Sequence, residues 1–205
     1  EPDAPGVVRV WPVESLRMSR VEVPGDFSSA AFFLVASLLL PGSHVTITEV
    51  GLNPTRTGLL RVLERMGADI EVTPGEMLGP EPVGDITARA GELTCTDIEA
   101  AEVPSLIDEL PLFLLAAARS RGVSRLRGAA ELRAKESDRL QSMAALLRAL
   151  GVTVTEHTDG MDVTGRPEGW DGGTVRAEAD RRLAMVGAVA GTVSRTGVSV
   201  DDVDC

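Results

Sequence analysis

The densest group of chemically reactive side chains lies in residues 131–139, which read ELRAKESDR. Seven of these nine residues are ionisable or carry a hydroxyl group. The stretch leads directly into an apolar pattern with the spacing of one buried helix face, at Leu140, Met143, Leu147 and Leu150. The charges therefore lie at the start of a predicted core helix, where free backbone N–H groups favour an anion.

Further charged residues mark the starts of two other predicted helices. Asp108 precedes an apolar run with Pro111 in its first turn, and Arg182 begins a third helical pattern. Helix N-termini of repeated units would gather at one end of a domain, so we expect five residues to converge on one cleft: Asp108, Lys135, Glu136, Arg139 and Arg182. Two carboxylates could exchange protons there, while three cations hold phosphate or carboxylate groups.

The same residues also have a purely structural interpretation. Aspartate and serine at a helix start most often cap it, and exposed ion pairs contribute little. Under this interpretation Asp108 and Asp138 cap helices, Lys135 forms a surface pair, and Arg181 and Arg182 face solvent. A non-catalytic binding or assembly domain is therefore a second hypothesis.

Composition limits the classes of partner. The chain of 205 residues carries a net charge of -11, which opposes binding to nucleic acid or to an anionic membrane. Apolar residues make up 43% but aromatic residues only 3%, so the core must be aliphatic. The most apolar run, residues 30–40, is too short to cross a bilayer.

Neither a metal nor an organic cofactor is expected. No Cys/His spacing is typical of zinc, and no glycine-rich phosphate loop of the nucleotide-binding kind is found. The cysteines, Cys95 and Cys205, give no reason to expect a disulfide, which favours a reducing cytoplasm.

Hydrophobic periodicity and Gly/Pro breaks predict alternating helices and strands. Asp26, Ser28 and Ser29 are interpreted mainly as caps of the first helix. The predicted helices are residues 30–40, 53–66, 108–118, 140–150 and 180–194. The predicted strands are residues 6–10, 20–23, 44–50, 69–72, 85–89, 92–96, 123–127, 152–155 and 198–200.

The order of elements repeats along the chain. A unit of helix, Gly, strand, helix, Gly and strands occurs three times. The third copy ends before its second helix. Each unit leaves apolar faces that the other units must cover, which favours one α/β domain over residues 1–205. We expect a fragment of a longer protein, with an open flank and marginal stability in isolation.

Five motifs, in order along nearly the whole chain, resemble those of the 5-enolpyruvylshikimate-3-phosphate synthase family. LRAKESDR at residues 132–139 is similar to its Leu-Arg-x-Lys-Glu-Ser-Asp-Arg signature. The others are GDFSSAAF at residues 25–32, NPTRTG at 53–58, IDELP at 107–111 and DRRLAM at 180–185.

The resemblance implies a fold and an activity. The family is built from two similar globules, each an inverse α/β barrel of three βαβαββ units, and this chain resembles most of the C-terminal globule with its third repeat truncated. Without metal or organic cofactor, the family transfers the enolpyruvyl group of phosphoenolpyruvate to the 5-hydroxyl of shikimate 3-phosphate. This is the shikimate-pathway step of aromatic amino acid synthesis that glyphosate blocks.

The resemblance also implies residue roles. Asp108 would be the base at the target hydroxyl, Glu136 the proton donor to the phosphoenolpyruvate methylene, and Lys135 a contact of the shikimate phosphate. Arg139 and Arg182 would hold phosphoenolpyruvate. The family usually has Asp-His-Arg where this chain has Asp-Arg-Arg at residues 180–182. Arg181 therefore replaces the family's histidine contact, and the resemblance assigns it no role.

Other substrate groups of the family lie outside this chain, so we expect the fragment alone to be inactive. The nearest rival is the enolpyruvyl transferase that acts on UDP-N-acetylglucosamine, which is similar in fold and donor. The Lys-Glu-Ser-Asp-Arg run at residues 135–139 favours the shikimate enzyme.

Overall fold

Helices and strands alternate along the chain, as the sequence predicts. The computed structural model describes residues 7, 9–15, 20–201 and 203. Its α-helices are α1 (Phe27–Leu39), α2 (Gly58–Arg65), α3 (Leu110–Arg119), α4 (Arg139–Ala149) and α5 (Arg181–Thr192). Its strands are β1 (His44–Gly51), β2 (Asp69–Pro74), β3 (Val83–Arg89), β4 (Val123–Leu126), β5 (Thr153–His157), β6 (Gly160–Thr164), β7 (Gly173–Arg176) and β8 (Val198–Asp201). Short 3-10 turns cover Val103–Ser105, Ile107–Glu109 and Ala130–Ala134.

Three helices start with the same device, an aspartate cap. The side chain of Asp26 accepts from the backbone N–H of Ser29, two residues into α1. Asp138 caps α4, and Asp180 caps α5 by accepting from the backbone N–H of Arg182. Each aspartate accepts from a backbone N–H that the first turn leaves unpaired. The position of the aspartate therefore sets the first residue of the helix.

Within residues 20–201, which the structure describes without a gap, the strands form two three-stranded sheets and one pair. The order is β1-β3-β2 in the first sheet and β4-β6-β5 in the second, and the strands within each are antiparallel. β7 and β8 are parallel and are connected through α5. The mixed α/β class expected from the sequence is confirmed.

The prediction of strands at residues 20–23 and 92–96 is wrong. The second segment does run beside β4, with the Cys95 N–H donating to the Arg121 carbonyl at 2.9 Å. Side chains then replace the backbone ladder: the Thr96 N–H donates to Ser124 Oγ, and the Arg125 N–H donates to Asp97 Oδ1. Only isolated bridges remain.

The two predicted strands nearest the N-terminus do not form where the structure describes the chain. Residues 7, 9 and 10 are not in a strand, and residues 6 and 8 lie outside the described part of the chain. Residues 20–23 contribute no pairing of their own, and a bridge from Gly25 to Val50 follows them. β6 and β7 are additional strands that the sequence interpretation did not name.

The core is a single apolar cluster in which α1, α3 and α5 pack against one another. α3 is its centre, because every residue from Leu110 to Ala118 is buried. Trp170 is fully buried and donates from Nε1 to the Ala190 carbonyl at 3.0 Å. No helix in the described part of the chain is both long and apolar enough to cross a membrane.

Some apolar side chains on the core helices remain uncovered. Phe33 and Leu40, at one side of α1, are exposed, and so is Met185 on α5. An open flank would leave such residues in contact with water. The marginal stability of the chain in isolation stays a prediction.

Candidate active site

The starts of four helices meet at one end of the molecule. Ser28 in the first turn of α1 contacts Glu109, just before α3. Arg182 in the first turn of α5 contacts Asp108, and Arg139 at the start of α4 contacts Asp180, the cap of α5. These contacts bring together the partial positive charges of several helix N-termini, which favour bound anions.

Asp108 lies at the centre of this group, within 4 Å of three arginines. Its carboxylate is 3.4 Å from Arg182 Nη2, 3.7 Å from Arg139 Nη1 and 3.7 Å from Arg56 Nη2. The Arg182 guanidinium also donates to the Asp108 backbone carbonyl at 3.3 Å. The carboxylate contacts are too long for good hydrogen bonds, so the N–H groups of Arg139 and Arg182 that face Asp108 are able to donate to an added ligand.

Asp108 is not a helix cap. It lies in the 3-10 turn Ile107–Glu109, and neither that turn nor α3 has a side-chain cap hydrogen bond. The structural interpretation of Asp108 as a cap is therefore wrong, since the carboxylate faces cations instead of backbone N–H groups.

Arg139 and Asp180 form a buried ion pair. The exposed fraction of the Arg139 side chain is only 2%, and its Nε donates to Asp180 Oδ2 at 2.7 Å. Ser137 Oγ donates to the same oxygen at 3.1 Å. Burial raises the pKa of Asp180, but the hydrogen bond and charge of Arg139 outweigh it and the pKa lies below its ordinary value.

Glu136 lies at the rim of the cluster. Its Oε2 accepts from Arg139 Nη2 at 2.5 Å, and 61% of its side chain is exposed. The Lys135 side chain pairs with Glu131 instead, with 3.3 Å between Nζ and Oε1. The structure thus brings Asp108, Glu136, Arg139 and Arg182 into one chain of contacts, whereas Lys135 has no direct ion pair with it.

The sequence interpretation did not place Ser28, Arg56 and Glu109 in the cluster. Ser28, taken mainly as a cap, donates from Oγ to Glu109 Oε1 at 2.5 Å and accepts from Arg56 Nη2 at 3.2 Å. Glu109 is buried beside Asp108, and this burial raises the pKa of its carboxyl, although Ser28 opposes the shift. The sequence did offer one sign that Glu109 is buried: it stands directly before a wholly apolar helix pattern.

The turn before α5 is strained. Glu178 and Ala179 both have left-handed backbone angles, with φ of 53° and 57°, which non-glycine residues seldom adopt. Glu178 is held by a 2.5 Å hydrogen bond from Ser142 Oγ on α4. The turn sets Asp180 against Arg139, and the next side chain, Arg181, is exposed.

A cavity of about 670 Å³ lies away from this cluster. It is lined by residues at the far ends of α1 and α3, including Leu38 and Arg119. A small hollow of about 50 Å³ lies at the cluster, between Arg56 and Asp108. Within the described part of the chain, no group of three His, Cys, Asp or Glu residues is placed to hold a metal ion.

Replacing Asp180 by Ala is expected to lower the free energy of unfolding by about 3 kcal/mol, because Arg139 would lose its fully buried partner and α5 would lose its cap. Since the pKa of Asp180 is lowered by folding, its contribution is present above the ordinary aspartate pKa and is lost as the pH falls below it. Urea unfolding at pH 7 and at pH 3 measures both effects.

The matched control is Asp171→Ala, which removes an exposed pair with Arg195. Exposed pairs contribute about 1 kcal/mol or less, so the control should stay close to the parent chain. Asp180→Asn keeps the size of the side chain and tests the charge alone. Equal losses for the variants at residues 171 and 180 would contradict the assignment of a buried pair.

Comparison with known proteins identifies relatives of this chain. The family model described as EPSP synthase (3-phosphoshikimate 1-carboxyvinyltransferase) matches residues 3–205. The 3-phosphoshikimate 1-carboxyvinyltransferases of Pelobacter propionicus and Xanthomonas campestris are each 48% identical, over 93% and 98% of this chain but 44% and 45% of their own lengths. The solved structure of EPSP synthase from Acinetobacter baumannii superposes with a TM-score of 0.86 at 37% identity, covering 90% of this chain and 43% of that one.

The chain thus spans a little under half the length of the curated relatives that it matches. The three arginines that surround Asp108 lie in sequence motifs described above, and the fold is shared with a solved EPSP synthase structure. The chain belongs to the EPSP synthase (3-phosphoshikimate 1-carboxyvinyltransferase) family.

Proposed function

We propose that this chain supplies one half of an active site that transfers the enolpyruvyl group of phosphoenolpyruvate to the 5-hydroxyl of shikimate 3-phosphate, with release of phosphate. In this proposal residues 1–205 form most of the C-terminal globule of a two-globule enzyme. The observation that carries it is the position of Asp108 between Arg139 and Arg182, with Glu136 bound to Arg139.

The two carboxylates suit the two proton transfers of the reaction. Asp108 takes the proton of the 5-hydroxyl as its oxygen bonds to C2 of phosphoenolpyruvate, while Glu136 gives a proton to the methylene carbon. The C2–O bond to phosphate then breaks, and the methyl group returns one proton to Glu136, which restores the double bond. The hydroxyl proton leaves with phosphate, so atoms and charge balance.

The cations suit the anionic groups of both substrates. Arg139 and Arg182 would hold phosphoenolpyruvate, since the guanidinium groups of both lie within 4 Å of the same carboxylate, that of Asp108. Lys135 would contact the phosphate of shikimate 3-phosphate, exchanging its partly exposed pair with Glu131 for a doubly charged ligand. The net charge of -11 opposes both substrates at long range, so the attraction must come from this local cluster.

A chimera tests the proposal directly. In it, this chain replaces the matching segment of the Xanthomonas campestris relative, with which it is 48% identical over 200 residues. We expect phosphate release from phosphoenolpyruvate only when shikimate 3-phosphate is present, and none when UDP-N-acetylglucosamine replaces it. The chain alone should release none, because groups that complete the site would be missing.

Two results would contradict the proposal. Turnover with UDP-N-acetylglucosamine alone would support the rival enolpyruvyl transferase. A folded chimera that is inactive with both acceptors would support the non-catalytic binding module. We place the activity in the cytoplasm, where the exposed Cys95 would remain a free thiol.

A further inference from the structure

A buried carboxyl group that the proposed reaction does not use lies next to Asp108. Glu109 has an exposed fraction of only 1%, although glutamate is seldom fully buried without a partner. Its partner is Ser28 on another helix, which donates to Glu109 Oε1 at 2.5 Å. A buried group of this kind is costly unless it is hydrogen-bonded, so the contact fixes the Ser28 hydroxyl in one orientation.

That orientation bears on Arg56. Because the only proton of the Ser28 hydroxyl goes to Glu109, its oxygen lone pairs are left to accept from Arg56 Nη2 at 3.2 Å. The same nitrogen lies 3.7 Å from Asp108 Oδ2. A continuous path of contacts therefore runs from buried Glu109 through Ser28 and Arg56 to the carboxylate at the centre of the site.

Arg56 needs such an anchor more than the other two arginines. Arg139 is buried and is bound by Asp180 and Glu136, while Arg182 is bound by the Asp108 carbonyl. The Arg56 side chain is 54% exposed. A long exposed side chain loses considerable conformational freedom when it is held in one place, so a weak ion pair alone would position it poorly.

We propose that Glu109 and Ser28 are positioning residues that hold Arg56 against Asp108, so that three arginines enclose the carboxylate during the reaction. The proposal rests on the proposed function. Arg56 would keep the Asp108 carboxylate oriented toward the acceptor hydroxyl, and it would compensate charge that Arg139 and Arg182 lend to phosphoenolpyruvate. Ser28 and Glu109 would act only through Arg56.

The chimera allows a double-mutant test. Ser28→Ala and Arg56→Ala are each expected to lower kcat about tenfold, with the KM for phosphoenolpyruvate changed less than about twofold. The double variant should be no slower than Arg56→Ala, because both changes remove one function. Arg61→Ala is the matched control: this α2 arginine donates to Ser105 Oγ and should leave kcat unchanged.

Chemical rescue separates positioning from a general loss of structure. Guanidinium at a low, non-denaturing concentration should restore part of the activity of Arg56→Ala, because the vacated position is open to solvent. Rescue should be much weaker when Ser28→Ala is added, since the hydroxyl that would hold the guanidinium is gone. Glu109→Gln, which retains a carbonyl acceptor for Ser28, should keep most of the activity, and Glu109→Leu should resemble Ser28→Ala.

Three outcomes would overturn the proposal: unchanged kcat in Ser28→Ala, additive losses in the double variant, or equal rescue with and without Ser28. Asp108→Asn in the same chimera distinguishes this failure from failure of the proposed function. If Asp108→Asn abolishes turnover while Ser28→Ala has no effect, the catalytic assignment stands and the positioning role of Ser28 and Glu109 does not.

Discussion

Asp108→Asn in the chimera is expected to lower kcat by about 10²- to 10⁴-fold, the range that a general base contributes. The amide has the shape of the carboxylate but cannot take a proton from the acceptor hydroxyl. Steady-state phosphate release with saturating shikimate 3-phosphate measures the change. The KM for phosphoenolpyruvate should not rise, because the three surrounding arginines lose a competing anion.

The control for this variant is Asp171→Asn, an exposed aspartate paired with Arg195. Its kcat should match that of the parent chimera. Unchanged kcat in Asp108→Asn would mean that the carboxylate serves only to hold arginines together, and a loss of folding in that variant alone would point the same way.

Glu136→Gln is expected to have an effect of similar size, again about 10²- to 10⁴-fold on kcat. The glutamine oxygen can still accept from Arg139 Nη2, so the arrangement of the cluster should survive. What it removes is the acidic proton for the methylene carbon. The matched control is Glu156→Gln on β5, which alters an ion pair with Arg148 of α4 and should leave kcat unchanged.

The helices could be predicted because their signals are local. Asp26, Asp138 and Asp180 each stand before an apolar helical pattern, and each caps the helix that follows. The observed start of a helix differs from the predicted one where a turn precedes the helix. Residues 53–57, predicted to begin a helix, form a turn in which Asn53 Oδ1 accepts from the N–H and the hydroxyl of Thr55, and α2 begins at Gly58.

The charged stretch at residues 131–139 lies at the entry of its helix, as the sequence predicts. Ala130–Ala134 forms a 3-10 turn, and α4 begins at Arg139, so most of the charges precede the helix. That loop allows Ser137 to reach Asp180 and Glu136 to reach Arg139. A continuous helix through these residues would direct their side chains around several faces.

The remaining features depend on contacts between distant parts of the chain. Ser28 and Glu109 are 81 residues apart, and Arg139 and Asp180 are 41 apart, so no local pattern shows that they bind each other. The role of Arg56 follows from Ser28 and could not be assigned without it. The sequence identified the residue types of the site through helix starts, whereas the pairings required the packing of α1, α3, α4 and α5.

The central claim is that the carboxylates of this chain move the protons of enolpyruvyl transfer, and hydrogen isotope exchange tests it most directly. When the chimera turns over in D₂O, Glu136 would deliver deuterium to the methylene carbon, and part of it would remain after phosphate leaves. We expect deuterium in the methylene group of the product from the parent chimera, and its rate of appearance should fall with kcat in Glu136→Gln. Deuterium entering at the parent rate in that variant would contradict the account.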